Sequence, residues 1–325
     1  MAEMGDYADM GNNVRCVLCD AGHCVWRATG VDGQGLMTTY DLMPGVTVMF
    51  NDFTNVGTVW SGFHLAPKAR MLCLNYCREG RIEWEIEADR RLYLGAGDLG
   101  MDDHQRHALP FHFPFGHYRG VTVCLIPDVA DESLAVMFPE GFPVRVEDIY
   151  GMVHASDEAL VLRSGAEVEH IFSEMYGAPD RHRGTLLKIK VMELLLHLDN
   201  VVSEKSLRCR IYLRRSQVDK VKAIERAITS DLAAKSTLQD LSREFDFPYA
   251  SMQRCFKEVY GMSVHAYLKR YRMARASTLL RTTSKPVGDI ALEVGYANAS
   301  KFASAFREVM GVSPGDYRTG ALQER

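Results

Sequence analysis

A pattern written twice constrains this chain more than anything else in it. Between Gln217 and Arg318, the run Phe256-Lys257-Glu258-Val259-Tyr260-Gly261-Met262-Ser263 returns as Phe306-Arg307-Glu308-Val309-Met310-Gly311-Val312-Ser313. The match extends backwards: Asp240-Leu241 answers to Asp289-Ile290, and Asp246 to Gly295. A repeat at a fixed period means one supersecondary unit used twice. Whatever fold this region adopts must hold both copies.

Each copy reads as helix, tight turn, helix. Thr237 with Asp240 three residues on predicts a capped helix start, with Leu238, Leu241 and Phe245 on one face. Asp246 takes a turn position where left-handed backbone is needed, which Asp tolerates. The next helix buries Met252, Cys255, Phe256 and Val259 at i, i+3, i+4, i+7. In the second copy Pro286 sits near a helix start, Gly295 makes the turn, and Asn298 caps a helix that buries Phe302, Ala305, Phe306 and Val309. Between the copies, Val264 to Arg281 lacks Gly and Pro. It predicts one continuous helix, about 27 Å long at about 1.5 Å per residue.

The faces left outward carry Gln253, Arg254 and Lys257 in one copy and Ser300, Lys301, Ser304 and Arg307 in the other. These are donors suited to base edges and phosphates. The expected DNA-binding set also takes in Tyr249, Ala250 and Ala299. Charge agrees with this division of labour. From Gln217 onward there are 17 Lys and Arg against 12 Asp and Glu, and before it 21 against 30. A basic segment on an acidic chain is the electrostatic footprint of nucleic-acid binding.

Leu238 to Arg318 resembles the DNA-binding domain of the AraC/XylS family of bacterial transcription regulators. The resemblance rests on Leu241; Met252-x-Arg254-x-Phe256-Lys257; Gly261; Tyr267-Leu268; Arg272-Met273-x-x-Ala276-x-x-Leu279-Leu280; Asp289-Ile290-Ala291; Val294-Gly295-Tyr296; Ser300-x-Phe302; Phe306; and Gly311-x-Ser313-Pro314-x-x-Tyr317-Arg318. It departs at Pro248, where a Ser cap is usual, and at Ser304, where an Arg is common. The resemblance implies double-stranded operator DNA and RNA polymerase as partners, an effector held by a front domain, and activation of adjacent genes. Base contacts would fall to Gln253, Arg254, Ser300 and Ser304, and phosphate contacts mainly to Lys257, Lys301 and Arg307.

The front of the chain is read from its patterning. Residues 1–40 are rich in Gly and Asp and predict an arm or edge. Within them Cys16, Cys19, His23 and Cys24 form a candidate soft-metal set, although the spacing matches no zinc motif. From Gly45 to about Asp128 the period becomes two. Arg81–Glu87 alternates with Ile82, Trp84 and Ile86 on one face, beside runs at Val46–Phe50, Met71–Tyr76, Arg91–Leu94 and Gly120–Ile126. Gly80, Gly97-Asp98 and the histidines that follow resemble the cupin-like sensor placed before such DNA-binding domains. Trp60, His64, Tyr76 and Trp84 are candidate effector contacts. Helical stripes resume at Val168–Tyr176 and at Gly184–Asn200. The second is apolar on more than one face, which predicts a dimer contact there, through outward leucines such as Leu195.

The expected architecture is therefore α+β and multidomain. Residues 1–40 are an arm, and 41–200 a cupin-like β-barrel with following helices for sensing and dimerisation. Residues 201–216 are a linker, and 217–325 an all-α domain with two helix-turn-helix units. At 325 residues the chain is long enough for two packed domains. No export signal or bilayer-long apolar run is seen, so the eight cysteines are expected reduced, in a cytoplasm. No cofactor and no enzymatic activity are expected. The alternative weighed against this is a cupin-type metalloenzyme fused to a DNA-binding domain, which would need three or so barrel histidines on a metal.

Overall fold

The computed structural model describes residues 14–20, 22–30, 33–56, 58–59, 70–85, 89–104, 111–156, 160–163, 165–203, 208–209, 213–234 and 236–323. It divides into two compact units, Met1–Leu213 and Arg214–Arg325. The first is built on a large antiparallel sheet; the second is helical.

The sheet begins earlier than its composition suggests. β1 (Val14–Asp20), β2 (His23–Thr29) and β3 (Gln34–Met43) are consecutive antiparallel neighbours inside the stretch expected to be an arm. Cys24, Trp26 and Ala28 alternate into the interior of β2, so the period-two signal was present among the glycines. Next come β4 (Val46–Thr54), β5 (Thr58–Val59), β6 (Leu72–Glu85), β7 (Arg90–Gly95), β8 (Asp98–Asp103), β9 (Phe111–His112) and β10 (His117–Leu125). Hydrogen-bonded neighbours follow the order β1-β2-β3-β4-β10-β6-β8-β11-β12, with β11 at Leu160–Arg163 and β12 at Arg208–Cys209. Among the described residues this path does not return to its first strand. The sheet is open where a closed barrel was expected.

β6 organises the unit. It joins the two predicted runs on either side of Gly80 into one strand, and Gly80 itself has φ +81°. A Cβ there would lie 2.2 Å from the His117 carbonyl oxygen, so only glycine fits. The register against β10 shifts between Arg119 and Gly120, next to this point. Such a bulge changes the phase of the alternation. Leu72, Leu74 and Tyr76 therefore enter one hydrophobic core, while Cys77, Ile82 and Trp84 enter another.

Helices cover the first of these cores: α1 (Pro127–Met137), α2 (Val146–Ala155), α3 (Ala166–Gly177) and α4 (Arg183–Ser203). α3 buries Val168, Ile171, Phe172 and Met175, the predicted stripe, and the Phe172 ring lies flat on Tyr76 at 4.3 Å. α4 buries Leu187, Val191, Leu194, Leu195 and Leu198. Leu195, read from the sequence as outward, is 1% exposed. Its neighbours on the other side of the helix face water, Ile189 at 52% and Leu196 at 40%. One position of error on a helix is a 100° turn, enough to exchange inside for outside. The stretch expected as a linker is likewise structured in part, holding the end of α4, β12, and β13 (Leu213–Arg214). No described helix is long and apolar enough to cross a membrane.

Phe172 fills the space between helix and sheet, and its partner Tyr76 cannot follow it inward. Phe172→Ala should cost about 3–5 kcal/mol of stability, read as a lowered midpoint in denaturant unfolding of the full chain.

Candidate nucleic-acid interface

The second unit opens with α5 (Arg215–Ser230), which buries Val218, Val221, Ile224 and Ile228. α6 (Leu238–Glu244) starts on the predicted capping box. The Asp240 amide donates to the Thr237 hydroxyl at 3.2 Å, and the Thr237 amide donates to the Asp240 carboxylate at 3.0 Å. The Thr237 hydroxyl, which donates to the Asp240 carboxylate at 2.7 Å, and after it the Thr237 amide hold that carboxyl below its ordinary pKa. The turn after α6 places Asp246 at φ +43°, and the Lys220 ammonium donates to the Asp246 carbonyl at 2.5 Å. α7 (Tyr249–Tyr260) then begins at Pro248, which offers no side-chain cap.

The second copy repeats this with different chemistry. α9 (Val287–Glu293) follows Pro286, Gly295 turns the chain at φ +84°, and α10 (Ala299–Met310) is capped by Asn298, whose side chain accepts from the Lys301 amide at 3.0 Å. α7 and α10 both end on a left-handed glycine, Gly261 and Gly311. α8 (Val264–Thr282) joins the copies as one unbroken helix, about 28 Å long at about 1.5 Å per residue. α11 (Pro314–Gln323) closes the unit.

Burial decides which side chains remain available. α7 buries Met252, Cys255, Phe256, Val259 and Tyr260; α10 buries Phe302, Ala305 and Phe306, with Val309 half-buried. The opposite faces expose Tyr249, Ala250, Arg254 and Lys257, and Ala299, Ser300, Lys301, Ser304 and Arg307. Gln253 is half-buried, and its amide donates to the Tyr249 hydroxyl at 2.9 Å, so the two form one oriented pair. Among the described residues Lys257, Lys301 and Arg307 take part in no ion pair. Lys269 and Lys285 do, with Glu308 and Glu293, each at 2.6 Å. Cations without intramolecular partners can exchange water and counterions for phosphate.

Arg272 has a role that the sequence pattern did not disclose. It lies among the packing residues of α8, and its Nη2 donates to the Leu232 carbonyl oxygen at 2.6 Å, in the turn before α6. The same guanidinium lies 5.8 Å from the ring centre of Tyr296, just after the second turn. Gly295 presses on this joint, because a Cβ there would lie 2.0 Å from the Leu232 oxygen. The first copy's leading turn and the second copy's central turn are thus locked together through one side chain. An arginine inside an apolar stripe is the signal that marked it.

The candidate residues of the first unit are dispersed. Tyr76 and Trp84 are each 4% exposed and lie in separate cores, so they line no common pocket. Trp60 and His64 fall outside the described residues. Cys19 and Cys24 face each other across the β1–β2 hairpin and are joined as a disulfide, so the expectation of eight reduced thiols does not hold there. Of the remaining soft-metal set, the Cys16 thiol donates to the Leu18 carbonyl at 3.4 Å, and His23 sits 3.8 Å from Asp20. Among the described residues no group of three His, Cys, Asp or Glu side chains could hold a metal ion. Burial pushes the Cys77 thiol up to about 12, which keeps it inert.

Two helix-turn-helix copies locked around one helix define the second unit as a DNA-binding domain type, and comparison with known proteins agrees. Residues 241–320 match the family described as helix-turn-helix domain. The HTH-type transcriptional activator RhaR of Mannheimia succiniciproducens is 32% identical over 109 residues, covering 34% of this chain and 40% of the relative. The HTH-type transcriptional activator AarP of Providencia stuartii is 32% identical over 91 residues, covering 28% of this chain and 67% of the relative. Among solved structures, the C-terminal domain of AraT, a response regulator from Geobacillus stearothermophilus, is 30% identical, with a TM-score of 0.30 over 31% of this chain and 84% of that one. The chain belongs to the AraC/XylS family of transcription regulators. It spans less than half the length of the RhaR relative that it matches.

The joint predicts an outcome at Gly295. A Gly295→Ala variant must place a Cβ in left-handed backbone, at about 1–2 kcal/mol, and must also displace the Leu232 carbonyl. Its thermal midpoint should fall, and the α6–α7 amides should lose hydrogen-exchange protection although the substitution lies in the other copy.

Proposed function

We propose that this protein is an effector-responsive activator of transcription that binds operator DNA as a homodimer in the cytoplasm, without a cofactor and without enzymatic activity. The single observation that carries the reading is the equivalence of two exposed helix faces. Lys257 on α7 and Arg307 on α10 occupy the same place in the repeat, as do Arg254 and Ser304. A protein with two such faces on one rigid helix is suited to two successive major-groove segments.

The roles divide by chemistry. Arg254, with its planar fork of donors, and the Gln253–Tyr249 pair face base edges from α7, with Ala250 allowing close approach. Ser300 and Ser304 do the same from α10, beside Ala299, with shorter reach. Lys257, Lys301 and Arg307 anchor phosphates. The first unit serves as the sensor, its sheet taken as an opened cupin-like barrel. Effector binding there would alter how two protomers present their DNA-binding units, and RNA polymerase would be the partner on the promoter. The exposed Ile189 and Leu196 on α4 are the apolar surface offered to a second copy.

Arg254→Ala should cost about 1–3 kcal/mol in specific binding and relax discrimination at one base pair. Lys257→Ala should weaken all sequences alike and reduce the salt slope by about one. Mobility shifts on specific and random duplex separate the two. An Arg254→Ala variant with unchanged specificity would remove α7 from base reading.

Leu196→Glu should yield a soluble monomer by light scattering if α4 carries the contact between copies. A dimer that persists in this variant would place the interface elsewhere.

A further inference from the structure

Three sulfur-bearing side chains of the first unit share one small hydrophobic cluster. Met71, Cys73 and Cys124 form a buried cluster separate from both larger cores, at 1%, 8% and 4% exposure. Cys73 on β6 and Cys124 on β10 are direct partners across an antiparallel ladder. Cβ atoms so placed lie about 4.5–5.5 Å apart. Met71 precedes Cys73 by two positions, so its side chain leaves the chain on the same side. Both thiols are free, whereas the other directly opposed pair, Cys19 and Cys24, is joined.

We propose that Met71, Cys73 and Cys124 form a binding site for one soft, thiophilic monovalent cation of the Cu(I) class. Two thiols and a thioether are the donor set that selects Cu(I) among biological metals. Zinc is poorly matched, because its structural sites take four ligands from Cys, His and carboxylate, and no such group converges among the described residues. Cys73, the most exposed of the three, supplies the way in. On binding, two S–Cu bonds form and each thiol releases its proton to solvent, while the thioether donates a lone pair without proton loss. Copper remains Cu(I) throughout, so no electron acceptor is needed. The site stands independently of whether the second unit binds DNA.

The experiment is anaerobic titration of the full-length protein with Cu(I) in ascorbate against bicinchoninate, with bound copper counted after desalting. One copper per chain is expected, with release of two protons in unbuffered solution. Cys73→Ser and Cys124→Ser should each lose that copper while the far-ultraviolet circular dichroism is unchanged. Met71→Leu conserves volume and should retain less copper at the same competitor concentration. Cys16→Ser should retain it fully. A folded protein that takes no copper from the competitor overturns the proposal. So does copper that survives in both serine variants, which would locate it at the N-terminal hairpin. Displacement by Zn2+ at equal concentration would overturn the assignment of a soft site.

Discussion

The burial of one face of each second helix in the repeat is the constraint on which the functional surface depends. Met252, Cys255, Phe256 and Val259 have to leave water, as do Phe302, Ala305 and Phe306, and each such side chain contributes roughly 1.5–3 kcal/mol when fully buried. A helix has one circumference. Once those residues point inward, Arg254, Lys257, Lys301, Ser304 and Arg307 have no place but solvent. The candidate interface is therefore a by-product of packing, and its chemistry is whatever the sequence places 180° from the core.

The same unit shows how two copies of a small motif become one object. Neither α6 with α7 nor α9 with α10 is large enough to hold a core alone. α8 supplies a shared wall, and Arg272 ties the turn before α6 to the turn before α10 by a hydrogen bond and a ring contact. Lys269 adds an ion pair from α8 to Glu308 on α10, and the Tyr267 hydroxyl donates to Glu225 of α5 at 2.9 Å. Any motion of one copy against the other must break charged or buried contacts. Reading two groove segments with a fixed separation, as proposed, would require that stiffness.

In the first unit the equivalent device is a bulge. A long strand of constant phase would send Cys77 and Ile82 to opposite faces. The extra residue Arg78, two positions before Gly80, resets the alternation, and β6 thereby serves two cores, with Tyr76 under Phe172 on one side and Trp84 beside Phe111 on the other. The two aromatics that looked interchangeable as pocket residues are separated by the thickness of the sheet. That separation explains why they are packed core members and why no common ligand surface joins them.

The helix-turn-helix repeat was legible from sequence because its determinants are local. Caps at Thr237 and Asn298, left-handed turns at Asp246 and Gly295, and apolar spacing at 3.6 residues per turn all act within a few positions of themselves. The continuity of α8 and the outward residues of α7 and α10 followed from the same short-range rules. What the sequence left undecided depends on neighbours distant along the chain. β1–β3 became strands because β4 and β10 offered a sheet to extend, despite the glycines around them. Leu195 went inward and Leu196 outward because α3 lies on one side of α4. The sheet stayed open among the described residues because strand pairing, unlike helix formation, is satisfied only by a partner elsewhere. Arg272 found Leu232, and Cys73 found Cys124, only after folding: hydrogen-bond and sulfur partners forty or more residues apart are chosen by tertiary packing, and no periodicity encodes them.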